Sequence, residues 1–349
     1  MKEDPFKPGS TARRAAARTE AIASPLPGAR SVSSNIAAGQ TEFEFVCPIC
    51  LTTEFKLQHS AAGPSGKLHC PRCAREFAKN ATYADLTVNS GAPQEVYRQR
   101  QWAGTELFRS PLVSFAYERG WRQGFRWAGF PGVDQEFDLA MGYLLPAAAG
   151  KVVVDMSCGS GLFARRFAAS GRFAGVVAAD FSESMLVQAR QYFQQSGGAP
   201  ATAASTRAAA AAAAAVPVDP SRYVLVRADV GRLPFATGSV AGLHAGAALH
   251  CWPNPAAAFA EISRVLAPGG VFVASTFLTA TAPLGEVVGD AVVRPLAQFA
   301  PRSSTYRWWE EAEIKDLCSA VGLQDFQRHR SRQFILFAAR KPGGGPEQR

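Results

Sequence analysis

Two hydrophobic rhythms alternate between residues 150 and 280. Short, nearly continuous apolar runs at 152–156, 174–179, 222–227, 240–245 and 270–276 predict buried strands. Between them, at 161–170, 182–195 and 255–266, apolar residues recur at helical spacing. Such alternation predicts a parallel, doubly wound α/β sheet. Beyond an irregular insertion, Tyr306-Arg307-Trp308-Trp309-Glu310 leads into a predicted helix that ends around Gly322. Two last strand-like runs, 324–329 and 333–340, are separated only by a short polar turn and so predict an antiparallel hairpin, bringing the strands to seven.

Elsewhere the pattern lapses, and the lapses predict domain limits. Residues 1–41 carry no hydrophobic period but many Ala, Ser and Arg. That composition fits an organelle transit peptide, although Glu3 and Asp4 also suit a plain disordered tail. A cysteine-paired module is expected at 42–86, a helical linker or lid at 87–135, the main domain at 136–342 and a tail at 343–349. The stretch 197–218, with its alanine run Ala208 to Ala215, reads as a surface insertion.

Composition narrows the classes. The chain has 349 residues, 47% of them hydrophobic, yet no run approaches the ~20 apolar residues of a membrane span. The net charge of +9 is spread out rather than gathered in one block. Arg98, Arg100, Arg109, Arg119, Arg122 and Arg126, with Arg328, Arg330 and Arg332, make RNA or an anionic membrane surface compatible partners. A solvated surface accounts for them equally well.

Candidate chemistry sits at the ends of the predicted strands. Val152-Val153-Val154-Asp155-Met156-Ser157-Cys158-Gly159-Ser160-Gly161 reads as a strand ending in an acid and turning through glycines into a helix. A second acid, Asp180 in Val176-Val177-Ala178-Ala179-Asp180-Phe181, follows at about the 20-residue distance of a ribose-binding carboxylate. Then come Arg227-Ala228-Asp229-Val230-Gly231-Arg232-Leu233-Pro234-Phe235, Ala245-Gly246-Ala247-Ala248-Leu249-His250 and Arg264-Val265-Leu266-Ala267-Pro268-Gly269-Gly270. Taken singly, Asp180 fits a helix cap and Pro268-Gly269-Gly270 an ordinary tight turn. Their ordered occurrence is more informative.

That series resembles the class I S-adenosylmethionine-dependent methyltransferases over residues 150–275. The resemblance implies a Rossmann-like α/β fold with an antiparallel C-terminal hairpin, and S-adenosyl-L-methionine as cofactor. In that reading Asp155 lies near the ligand's ammonium, Gly159 and Gly161 let backbone approach it, and Asp180 accepts from the ribose hydroxyls. The resemblance further implies that Asp229 takes the adenine amino group and the Val230 amide a ring nitrogen. Phe181 flanks the ring, and Ser157 and Ala245 complete the set. An Asn/Asp-Pro-Pro-Tyr tetrapeptide is absent after the fourth strand, which argues against methylation of exocyclic amines.

Cys47-Pro48-Ile49-Cys50 and Cys70-Pro71-Arg72-Cys73 form two knuckles separated by 19 residues. Four thiolates so spaced predict a closed, structural Zn2+ site and a small N-terminal zinc ribbon. A ribbon ahead of this domain resembles bacterial large-subunit rRNA guanine methyltransferases. Closer is a plant and algal plastid-type group sharing Glu106-Leu107-Phe108-Arg109-Ser110-Pro111 and the 245–253 loop. That likeness makes a plastid location the expectation, with the cytoplasm as the alternative.

The Asp229-x-x-x-Leu233-Pro234-Phe235 pattern is similar to ubiquinone/menaquinone-type methyltransferases, implying a small or lipophilic, quinone- or phenol-like acceptor methylated at carbon or oxygen. An rRNA base methyltransferase gripping RNA through the ribbon, and a non-catalytic ribbon scaffold, are the alternatives. His250 is the candidate general base, with a backbone-bonding role in its loop as the other reading. His244 reads as structural.

Overall fold

The computed structural model describes residues 43–55, 65–90, 128–194, 218–279, 281–289 and 307–343. The N-terminal stretch 1–41, most of the expected lid, the alanine-rich insertion and the last six residues lie outside these.

Among the described residues ten strands form one sheet. They are β1 (Gly66–His69), β2 (Glu76–Lys79), β3 (Ala84–Asp85), β4 (Val152–Met156), β5 (Gly175–Asp180), β6 (Tyr223–Arg227), β7 (Val240–Ala245), β8 (Leu266–Phe277), β9 (Gln324–Ser331) and β10 (Phe334–Arg340). Their order is β1-β2-β3-β6-β5-β4-β7-β8-β10-β9. The segment β6-β5-β4-β7-β8 is parallel, and β10 runs antiparallel to both β8 and β9. These are the seven strands the hydrophobic pattern predicts. The cysteine module adds three more, because β3 pairs in parallel with β6 through Ala84↔Val226 and Asp85↔Arg227.

Among the described residues six α-helices accompany the strands: α1 (Val133–Ala148), α2 (Leu162–Ala169), α3 (Glu183–Gln194), α4 (Pro255–Val265), α5 (Ala282–Val288) and α6 (Glu311–Ala320). Local chemistry explains their starts. Asn254 caps α4 by accepting from Ala257 N at 3.1 Å, with Pro255 opening the helix. Glu310 and Glu313 form a reciprocal capping box on α6. In α1 the buried residues Glu136, Ala140, Leu144 and Ala148 recur every fourth position, so one face meets the sheet.

The two faces of the sheet hold separate cores. Residues of α1, α2 and α3 pack on one, with Leu144, Phe163, Phe167, Leu186 and Phe193. The other carries Phe259 and Ile262 of α4, Ile314 of α6, and the cysteine module. Helices α2, α3 and α4 cover three of the parallel crossovers, but the β6–β7 connection, residues 228–239, contains no helix. There Phe45, Phe55 and Phe77 bury themselves with Val230, Leu233 and Phe235, and the Phe45 and Phe235 rings lie 5.7 Å apart. The module therefore fills the place a crossover helix would otherwise occupy.

Candidate functional site

Strand order reverses between β4 and β7, and the carboxyl ends of the parallel strands at such a point are where α/β folds receive ligands. The β4–α2 turn has left-handed backbone at Ser157 (φ 59°), Gly159 (φ 56°) and Gly161 (φ 81°). A Cβ on Gly161 would lie 3.3 Å from both Ala189 and Phe193, so its bareness serves the close approach of α3. At Gly159 the nearest atom is Met185 Sδ at 4.0 Å, leaving that backbone open.

Asp180 ends β5 beside this turn. Its Oδ2 accepts from Gly159 N and its Oδ1 from Ser182 N, both at 2.8 Å. Burial raises its carboxyl above the usual aspartate value, and those amides work against the rise. Asp229, just past β6, accepts from Gly231 N at 2.8 Å, which shapes a tight Asp229–Arg232 turn. Val230 is buried under that turn. Arg227 stacks its guanidinium 5.1 Å from the Phe181 ring centre and donates to Phe181 O at 3.0 Å. Arg227 also bridges to Asp85 and Glu183, each at 2.9 Å.

Asp155 lies opposite His244 in the β4–β7 register, and its Oδ1 accepts from His244 Nδ1 at 2.7 Å. Its other oxygen, Oδ2, is buried without a hydrogen-bond partner among the described residues. His244 sits between Phe163 and Phe167, with ring centres at 4.9 and 5.1 Å, in keeping with a structural role. Ala245, fully buried at the end of β7, turns its side chain into the core.

In the loop after β7, Leu249–Cys251 forms a single 3-10 turn. His250 within it is buried, with Nδ1 3.3 Å from Thr276 Oγ1 and its ring 5.0 Å from that of Phe277. Burial pushes its imidazole down to about 4, so it is neutral at physiological pH. Phe277 also meets Phe130 at 4.7 Å and Trp308 at 5.9 Å. Neighbouring Cys251 is pushed up to about 12, chiefly by burial and then by the Asp180 charge. Thiolate chemistry at neutral pH is thereby disfavoured.

Three contacts here have no local signal in the sequence. Trp252 Nε1 donates to Ser157 Oγ at 3.0 Å, linking the loops after β7 and β4. Fully buried Glu136 accepts from Ser275 Oγ at 2.7 Å, and that hydroxyl accepts from Ala247 N at 2.8 Å, which holds Ala247 at φ 50°.

The four expected cysteines converge. Their Sγ atoms lie within 4.8 Å of one another, with Cys47–Cys73 at 3.7 Å and Cys50–Cys70 at 3.6 Å. Tetrahedral zinc with bonds of about 2.3 Å separates its sulfurs by about 3.8 Å, so the donor set and spacing fit that ion. Both knuckles fold alike. Leu51 N and Ala74 N donate back to Cys47 O and Cys70 O, and Leu51 and Ala74 take left-handed backbone at φ 57° and 55°. His69 is exposed and stands outside the cluster, and His59 is not among the described residues.

Comparison with known proteins agrees with this architecture. Residues 154–274 match the family model described as a methyltransferase domain. An uncharacterized chloroplastic methyltransferase of Arabidopsis thaliana is 41% identical over 307 residues, covering 85% of this chain and 78% of its own length. A second from the same plant is 42% identical over 302 residues, with the same coverage. A demethylmenaquinone methyltransferase of Parafrankia sp. is 38% identical over 170 residues, covering 49% of this chain and 62% of that protein. The chain belongs to the class I S-adenosylmethionine-dependent methyltransferases, within the plant plastid-type group.

Proposed function

We propose that this enzyme methylates a small or lipophilic, quinone- or phenol-like acceptor at carbon or oxygen, and that it works in the plastid. The observation that carries the acceptor class is an apolar wall beside a neutral base: the Phe277 ring lies against His250, and Phe130 and Trp308 pack on Phe277 in turn. An uncharged aromatic ring suits such a wall, whereas a phosphate-bearing strand would lose its hydration there without compensating charge. Relatives acting on demethylmenaquinone support the same class. The chloroplastic Arabidopsis relatives support the location.

Asp180 holds the ribose diol, and Asp229 with the Val230 amide holds the adenine edge, with Phe181 along its face. The open backbone at Gly159 and the Ser157 turn admit the amino-acid tail. Asp155 Oδ2, buried without a partner among the described residues, is suited to its ammonium, and Ala245 contributes only backbone. Bound S-adenosylmethionine supplies an electrophilic methyl, so the protein's task is alignment and exclusion of water. His250 takes the proton that a phenol or enol releases as its oxygen or carbon forms the new bond. The cysteine cluster holds structural Zn2+ and takes no part in transfer.

The test is incorporation of labelled methyl by the zinc-loaded full chain into prenylated hydroquinones, simple phenols and rRNA. Label in a quinol or phenol is expected. Label in rRNA with none in the other acceptors would overturn the reading.

A further inference from the structure

The turn that carries Asp229 is gripped from the cysteine module. Arg232 Nε donates to Pro48 O at 2.6 Å and Nη2 to Ile49 O at 2.9 Å. Those carbonyls belong to the two residues between the ligand pair Cys47 and Cys50. Through its backbone, Arg232 closes the other turn, donating N–H to Asp229 O at 2.9 Å and pairing with Asp229 as a β-bridge. Val46 N donates to Pro234 O at 3.0 Å, a second contact to the module two residues beyond Arg232. One residue thus spans the knuckle and the candidate adenine turn.

The two carbonyls present themselves together only while the knuckle is closed. Its backbone closure is two bonds, Leu51 N to Cys47 O at 2.8 Å and the longer Cys47 N to Thr52 O at 3.3 Å. Four thiolates drawn to one ion would supply most of the remaining rigidity, since binding energy in such sites is folding energy. We infer that Arg232 is a positioning residue coupling ion occupancy of the four-cysteine cluster to cofactor affinity. The loaded knuckle sets the guanidinium, and the guanidinium sets the Asp229–Gly231 turn. This rests on the reading that Asp229 and Val230 receive the adenine. Coupling of this kind is reciprocal, so cofactor must in turn tighten the ion.

The experiment uses the full chain loaded with Zn2+ and S-adenosylhomocysteine, which binds without turnover. Competition with a chromophoric chelator is expected to show zinc held ~10-fold more tightly when S-adenosylhomocysteine is saturating. In Arg232→Gln that gain should fall below ~2-fold while zinc still binds, and S-adenosylhomocysteine affinity should drop ~10-fold. Arg232→Lys, which can reach one carbonyl, should recover part of both. Lys67→Ala, removing an exposed ribbon salt bridge, should leave the linkage intact. Zinc retention indifferent to S-adenosylhomocysteine in the wild type, or an undiminished linkage in Arg232→Gln, would overturn the inference. Asp229→Ala separates the two readings. If it binds S-adenosylhomocysteine as tightly as the wild type, the adenine assignment falls and the coupling with it. If it binds weakly while the wild type shows no linkage, only the coupling falls.

Discussion

Trp252 donates its indole N–H to Ser157 Oγ at 3.0 Å, joining the loop after β7 to the turn after β4 across the point where strand order reverses. Ser157 accepts this bond from a left-handed backbone, φ 59°, a conformation that favours glycine. The bond thus offsets a local conformational cost and fixes the turn after β4 relative to the loop after β7. Ser157→Ala keeps the strained backbone and leaves a buried donor without its partner, at a cost of about 1–3 kcal/mol. Ser157→Gly loses the same partner but relieves the backbone, so it should be more stable than Ser157→Ala by about 1 kcal/mol. Denaturant unfolding of both variants checks this. Equal midpoints would mean the left-handed turn carries no strain.

Asp180 receives Gly159 N on one oxygen and Ser182 N on the other. Each oxygen keeps a second lone pair, enough for a diol. In Asp180→Asn, the amide oxygen can keep one of these contacts, but the amide nitrogen then meets the other N–H donor to donor. S-adenosylhomocysteine affinity should fall at least ~10-fold, about 1.4 kcal/mol, by calorimetry. An unchanged affinity would remove Asp180 from the cofactor set.

The strand ends were legible because each is marked locally. Val152–Met156 and Val240–Ala245 are apolar, buried runs whose limits the structure reproduces. Pro268-Gly269-Gly270 misleads for a physical reason. Those residues look like a turn before a strand, yet they lie inside β8 as a register shift against β7. Gly270 permits it, since a Cβ there would lie 2.8 Å from Ala267 O and 2.9 Å from Val240 O, an approach with no local trace. The cysteine spacing announced the cluster but not its docking, because β3 is only two residues long and carries no period. Likewise Glu136 fell at the edge of the expected linker, while its partner Ser275 lies 139 residues away. Single positions show what chemistry is present, and contacts between distant segments decide how it is held.

The ribbon is fastened to β6 by a buried ion pair. Asp85 and Arg227 meet at 2.9 Å with side chains only 8% and 9% exposed, and Asp85 also accepts from Thr87 N and Oγ1. Asp85→Ala strands part of a buried guanidinium, although Glu183 remains, so a loss of about 3 kcal/mol is expected in denaturant unfolding. Replacing both partners, Asp85→Leu with Arg227→Met, should recover much of that loss, because the buried charges are removed together and Glu183, 40% exposed, keeps its hydration. The double variant should nevertheless bind S-adenosylhomocysteine less tightly, since Arg227 also stacks on Phe181 and bonds its carbonyl. A double variant no more stable than Asp85→Ala would show that the ion pair itself holds the ribbon.

His250 makes stability depend on pH in a definite direction. Burial holds its folded pKa at about 4, against about 6.5 in the unfolded chain. Between those values the unfolded state binds the extra proton, so stability rises with pH across the window. The contribution is fully present above pH ~6.5 and is lost as pH falls toward ~4, amounting to roughly 3 kcal/mol. His250→Gln carries no titrating ring, so its unfolding free energy should change less over the same window. The stability of the wild type relative to His250→Gln should therefore fall by roughly 3 kcal/mol between neutral pH and pH ~4, as followed by denaturant unfolding at several pH values. Parallel curves would place the imidazole in water, and a neutral ring enclosed by Phe277 would then no longer explain an aromatic acceptor.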